Sequence, residues 1–286
     1  MTTRVVLALF LLSALALAQS CSNWNTTSFL RSVTVAGVRA CIEEGGNVHD
    51  RTSQGYTPLH WVAQYTGDPA IIKVLVEAGA TVDARTKKGW TPLHLAARHN
   101  DNPAVSRTLF EVGAWANARD EDGKTPLHWA AEHNDNPEIV TAFLEAGVEP
   151  TIRDNNGWTP LSSAAFGGGP EVLRILLNMT GANVSDPLPL ALAAAGNPDP
   201  EIITMLLDTG FNMNELVDGT TPLHLAVEYN PNPDVIAILL DAGADGKVKD
   251  RDSKIPWDYA LDREAYLLAR NADVFWRLNE ARFESR

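Results

Sequence analysis

The sequence predicts an all-α solenoid of stacked helix-turn-helix units, and three periodic signals carry that prediction. The segment Thr57-Pro58-Leu59-His60 returns as Thr91-Pro92-Leu93-His94 and Thr125-Pro126-Leu127-His128, each 34 residues after the last. Thr159-Pro160-Leu161-Ser162 keeps the step but loses the histidine, and Thr221-Pro222-Leu223-His224 restores it. A second proline recurs at Pro69, Pro103, Pro137, Pro170, Pro200 and Pro233, and a glycine at Gly79, Gly113, Gly147, Gly181, Gly210 and Gly243. Self-similarity at this period marks a repeat array, in which stacking neighbours supplies the core that one unit lacks.

The first element is an address. Val5 to Ala18 is almost purely apolar and follows Arg4. This run is short of the ~20 residues that cross a bilayer as a helix. It ends in Ala16-Leu17-Ala18, the small-x-small pattern of a signal peptidase site, so residues 1–18 read as a signal peptide cleaved before Gln19. The expected product is secreted or periplasmic, with no membrane span after cleavage. Cys21 follows closely. Processing as a lipoprotein at Cys21 is one reading, but Ala18 stands where that pattern prefers leucine. A disulfide between Cys21 and Cys41 is preferred, because an exported chain can form one. Closing that loop contributes roughly 3 kcal/mol in the chain-entropy model.

Each later unit has the same local logic. Thr91 suits a helix N-cap and Pro92 the first helical position, where a missing N–H is no loss. The short, small Leu-His-Leu-Ala-Ala that follows lets neighbouring helices lie close. Asn102-Pro103 repeats the signal and starts a second helix. In the preceding unit the second helix has Ile71, Ile72, Leu75 and Val76 on one broad apolar stripe. Gly79 then ends it in the left-handed conformation, and a polar turn such as Asp120-Glu121-Asp122-Gly123 leads to the next cap.

Residues 120–131, Asp-Glu-Asp-Gly-Lys-Thr-Pro-Leu-His-Trp-Ala-Ala, with Glu-Ala-Gly at 145–147, closely resemble ankyrin repeats. The resemblance recurs in register and covers nearly all of the chain after residue 18. It implies an ankyrin-repeat solenoid with β-turn tips and capping repeats at both ends. Residues 19–50 form the N-terminal capping unit, 51–252 the repeats, and 253–286 the C-terminal capping unit. The family's usual period is 33, and most units here carry one extra residue, seen in Asn-Asp-Asn-Pro at 100–103 and 134–137. The unit near 185–217 is degenerate. Gly181 to Pro189 spans 8 residues where Gly113 to Pro126 spans 13, so most of that turn is missing. An irregular projection is expected around 165–190. The Ile255-Pro256-Trp257-Asp258 segment is a weakened motif, followed by a terminal helix through Trp276-Arg277-Leu278.

Composition narrows the function. With 23 Lys+Arg against 36 Asp+Glu, the net charge of −13 argues against nucleic acid, whose phosphates require a basic face. The composition of 45% hydrophobic and 21% charged residues fits neither disorder nor a collagen-like chain. Two cysteines do not make a four-Cys zinc site. No Gly-x-Ser-x-Gly, phosphate-binding loop, dinucleotide fingerprint or His-Glu-x-x-His motif occurs, and no cofactor or catalytic residue is assigned. In ankyrin repeats the motif histidine bonds to backbone and to the motif threonine, so the resemblance gives His60, His94, His128 and His224 a structural role. Asp101 and Asp135 are read as caps of second helices rather than calcium ligands.

What remains is a surface for another protein. The resemblance implies that partners are read at the concave face and turn tips. The positions just before the motif threonine are Tyr56, Trp90, Lys124, Trp158 and Thr220. Those after the alanine pair are Gln64 with Tyr65, Arg98 with His99, Glu132 with His133, and Glu228 with Tyr229. Tip aromatics would give large contact area at low entropic cost, or fold over the neighbouring turn and pack it. Trp61 and Trp129 are assigned mainly to packing. The expectation is a monomeric, non-enzymatic binding protein, possible alternatives being an envelope scaffold that supports a periplasmic enzyme and a small-ligand or metal site near His99 and His133.

Overall fold

The repeated Thr-Pro step sets the start of each first helix. Thr57, Thr91, Thr159 and Thr221 are N-caps in extended backbone, each followed by a proline that opens the helix. The computed structural model describes residue 21, residues 24–26, residue 29, and residues 33–181 and 185–283. Over those residues the fold is all-α, an ankyrin-type repeat solenoid of fifteen helices. The only β pairing among them is an isolated bridge between Val217 and Thr220. The proposed signal segment lies outside the described residues.

Helix α1 (Val35–Glu43) is the first of these fifteen among the described residues. Six pairs of first and second helices follow. They are α2 (Pro58–Tyr65) with α3 (Ala70–Glu77), α4 (Pro92–His99) with α5 (Pro103–Glu111), and α6 (Pro126–His133) with α7 (Pro137–Glu145). Then come α8 (Pro160–Gly167) with α9 (Pro170–Thr180), α10 (Leu188–Gly196) with α11 (Pro200–Thr209), and α12 (Pro222–Tyr229) with α13 (Pro233–Asp241). The chain closes with α14 (Pro256–Asp262) and α15 (Glu264–Ala281). Two compact bodies are distinguished. Body I holds the described residues up to Ala130 together with Glu138–Glu149, and body II holds Ala131–Pro137 and the residues from Pro150 onward.

Within each body, first helices pack on first helices and second on second. In body I α2 meets α4, and α1, α3 and α5 follow one another; in body II α8, α10, α12 and α14 stack, as do α9, α11, α13 and α15. Alanine permits the close approach of the first helices: Ala63, Ala96, Ala97, Ala164, Ala165 and Ala226 are all fully buried. The second helices supply bulk through Ile71, Ile72, Leu75, Leu109, Leu173 and Leu176. One register detail differs from the sequence reading. Val74 faces the core of α3 with these residues, and Val76 is only half-buried.

Second helices end as the glycine series predicts. Gly79, Gly113 and Gly243 have φ of 95, 92 and 95°, a left-handed conformation that costs a residue with a Cβ about 1–2 kcal/mol. The start of α5 corrects an expectation. Asn102 Oδ1 accepts from Ala104 N at 3.1 Å, so Asn102 caps the helix and Asp101 does not.

The irregular region is smaller than expected. Helices α8, α9 and α10 occupy most of 160–196, and the Gly167–Gly169 connection does not project. A Cβ on Gly168 would collide with the carbonyls of Ala131 and Ala164, so glycine allows the backbone to lie against the preceding first helix. Residues 182–184, in the connection after Gly181, lie outside the described residues.

Both ends are closed by side chains. Cys21 and Cys41 form a disulfide with Cα atoms 5.2 Å apart. Trp24, only 4% exposed, is fixed by its indole N–H to Asp50 Oδ2 at 3.3 Å. At the other end Trp257 packs on Phe275 with ring centroids 4.8 Å apart. Arg263 reaches back to the carbonyls of Val227 (2.7 Å) and Asn230 (3.0 Å).

Candidate functional site

The candidate surface consists of the tips and the exposed sides of the first helices, and a buried histidine at the start of α2, α4, α6 and α12 helps to hold it in place. His60 Nδ1 accepts the N–H of Thr57 at 3.1 Å and lies 2.8 Å from its hydroxyl. That leaves the proton on Nε2, which donates to the carbonyl of Trp90, the tip residue of the next repeat, at 3.1 Å. His94 repeats the arrangement toward Lys124 O at 3.2 Å, and His224 toward Lys254 O at 3.1 Å. A histidine is thus a strut between its own cap and the following tip. Burial keeps it neutral, pushing His60 down to about 4 and His94 to about 3, with His224 lowered for the same reason.

The departures from histidine follow from the same geometry. Ser162 contacts Thr159 but is too short to reach forward, and the next repeat lacks most of the tip it would have met. Asp258 takes the place of the histidine at the start of α14 and accepts the N–H of Ile255 at 2.9 Å.

Two further ladders escaped the sequence reading. Arg51 donates to Gly55 O at 3.2 Å and to Arg85 O, one repeat on, at 2.9 Å. Arg85 does likewise to Gly89 O and Arg119 O, at 3.0 and 2.7 Å. Arginine at 51, 85, 119 and 153 keeps the 34-residue step, a signal present in the sequence. At the other end of α4, α10 and α12, a buried asparagine ties the repeat to the one before. Asn100 Nδ2 donates to Ala63 O and Thr66 O, at 2.9 and 3.0 Å; Asn197 and Asn230 do the same in body II.

In body I the tip and helix side chains gather into two groups. Tyr56 stacks on Trp61 with centroids 4.4 Å apart and planes 8° from parallel, and Trp61 lies 6.4 Å from Tyr65. Gln64 is half-buried beside them. Trp61, assigned to packing by sequence, therefore belongs to a half-exposed aromatic strip. Burial and the neighbouring Tyr65 raise the Tyr56 hydroxyl above its ordinary range, so it stays protonated. The second group centres on Trp129, which is 8% exposed and donates its indole N–H to Asp120 Oδ2 at 2.8 Å. Trp90 lies 4.9 Å from it, the Arg98 guanidinium 4.6 Å from the Trp129 centroid and 5.4 Å from that of Trp90, and Lys124 Nζ 4.7 Å from Trp129. Such cation–π contacts contribute about 0.5–2 kcal/mol each. His99 stands exposed beyond Arg98. The tip aromatics thus pack and remain partly accessible together.

In body II the arrangement is different. Glu132 is only 8% exposed, which removes it from the expected contact surface. The cause is Gly167, whose backbone lies so close that a Cβ there would meet Glu132 O at 2.9 Å. His133 remains exposed, 3.5 Å from the Glu132 carboxylate. Trp158 packs on Phe166 at 5.3 Å. Tyr229 is 58% exposed beside half-buried Glu228, whose hydrogen bond raises the phenol above its ordinary range. Among the described residues, no three His, Cys, Asp or Glu side chains gather as for a metal ion, and no helix is long and apolar enough to cross a membrane.

A family model described as ankyrin repeats (3 copies) matches residues 34–120, 103–188 and 185–250. No curated protein matches the chain. The matched ranges together run through all six helix pairs. The chain belongs to the ankyrin repeat family.

Proposed function

We propose that this is an exported, monomeric, non-enzymatic protein that engages another protein through its repeat tips and the adjoining ends of its first helices, as a secreted or periplasmic effector directed at a host protein would. The observation that carries the reading is the Trp90–Trp129 pair bracketed by Arg98 and Lys124. Rigid aromatic surface with charge held over it is the composition of interface hot spots, and ankyrin repeats generally mediate protein–protein interaction. The apolar run at 5–18 and the Cys21–Cys41 disulfide support export, since such bonds persist in oxidising compartments. A disulfide at Cys21 also leaves no thiol there for lipid attachment.

The test is affinity capture from native surroundings with residues 19–286, in wild type and in a Trp90→Ala/Trp158→Ala variant of unchanged helicity. The wild type should retain a protein that the variant loses. Equal capture by both would refute the tips as the binding surface.

A further inference from the structure

Charge is sorted by face in body I, and the sorting is maintained by two different kinds of bond. On the second helices each cation meets a carboxylate of the following repeat. Lys73 pairs with Glu111 at 2.8 Å, Arg107 with Glu145 at 3.1 Å, and Arg39 with Glu77 at 3.6 Å. On the tips, Arg51 and Arg85 are held by backbone carbonyls instead, which orient the guanidinium without cancelling its charge. Lys87 and Lys88 stand exposed on the same tip as Arg85.

The acids of the same face are largely turned to internal use. Asp50 accepts the Trp24 indole, Asp83 the N–H of Trp115, and Asp120 those of Lys124 and Trp129. Glu121 and Asp122 are exposed acids of the third tip. Successive tips are also fixed to one another, Lys87 N to Gln54 O at 2.9 Å and Glu121 N to Lys88 O at 3.1 Å. The result is a cationic row carried on a fixed tip backbone near Trp90, on a protein of net charge −13.

We propose that the tips of body I bind an acidic segment of a protein partner, its carboxylates on the Arg51, Arg85, Lys87 and Lys88 row and its apolar side chains against Trp90. The proposal rests on the binding reading above and adds the chemistry of the partner. Charge complementarity selects this occupant: the row offers exposed cations, two of them oriented by backbone carbonyls, that an acidic chain can reach, and the overall negative charge repels polyanions that lack apolar contacts.

The experiment is a selection of random twelve-residue peptides displayed on phage, carried out on wild type, on Lys87→Glu/Lys88→Glu, and on Trp90→Ala/Arg98→Ala, each with helicity verified by circular dichroism. Wild type should enrich Asp and Glu above the naive library. The selected peptides should bind the charge-reversed variant about ten-fold or more weakly, and weaken with added salt. Neutral or basic peptides that depend on Trp90 and Arg98 would overturn the acidic partner while leaving the tip-binding reading intact. Peptides indifferent to both variants, or no enrichment at all, would overturn both. Tighter binding of a twelve-base single-stranded DNA or of phosphatidylserine vesicles than of any selected peptide would also overturn the acidic partner, in favour of a polyanion or a membrane.

Discussion

Replacing His94 by serine, the residue its counterpart already carries at Ser162, should exchange stability at neutral pH for resistance to acid. At pH 7 the variant loses the Nε2–H bond to Lys124 O at 3.2 Å and the imidazole that fills a fully buried site. Serine keeps contact with the Thr91 cap, so the cost is about 2–3 kcal/mol, one unmet carbonyl plus a void. Acid reverses the comparison. The folded protein holds His94 at about 3, below the unfolded value of about 6.5, so its stabilising contribution is complete above pH 6.5 and is lost as pH falls toward 3. Between pH 7 and pH 5 that linkage removes about 2 kcal/mol from the wild type and nothing from the variant at this position. Urea unfolding followed by far-ultraviolet circular dichroism should show a deficit of about 2–3 kcal/mol at pH 7 that shrinks to within about 1 kcal/mol at pH 5. A deficit of equal size at both pH values would refute the neutral buried strut.

Two further perturbations test the frame. Asn230→Ala removes donors to Ala194 O and Asn197 O, both at 2.9 Å, and an acceptor for Asn232 N. It should cost about 3 kcal/mol in urea unfolding, and a loss below about 1 kcal/mol would show that these carbonyls do not depend on it. Ser253 occupies with φ 64° the tip position that glycine holds elsewhere, such as Gly89 at φ 76°. Ser253→Gly should stabilise by about 1 kcal/mol and raise the melting temperature by about 2 °C, whereas a fall would show that the serine is not strained.

Much of this architecture was legible because it is local. Threonine before proline, and glycine after an apolar stripe, act on the backbone within one turn, so helix starts and ends follow from neighbours in sequence. The Cys21–Cys41 bridge was readable for a similar reason, since little besides those two thiols was available to pair. The asparagine and arginine ladders were present as periodic letters but not as functions. An asparagine near a second-helix start reads as a cap, and only the preceding repeat's carbonyls reveal that Asn100 is a buried bracket while Asn102 does the capping.

The sequence by itself determined the repeat and the signals that start and end its helices, because those depend on spacing and backbone preference, while the role of the strut histidines came from the resemblance to ankyrin repeats. The tertiary structure decided which variable positions remain surface. Glu132 and Arg98 occupy equivalent places, yet the glycines of the following helix pair bury Glu132, while Arg98 lies across two indole rings. Trp61 and Trp129 are likewise equivalent, but Tyr56 and Tyr65 flank the first in a half-exposed strip, and Asp120 binds the second inward. Exposure depends on the shape of what packs alongside, and in a stack that shape is set by side chains a whole repeat away.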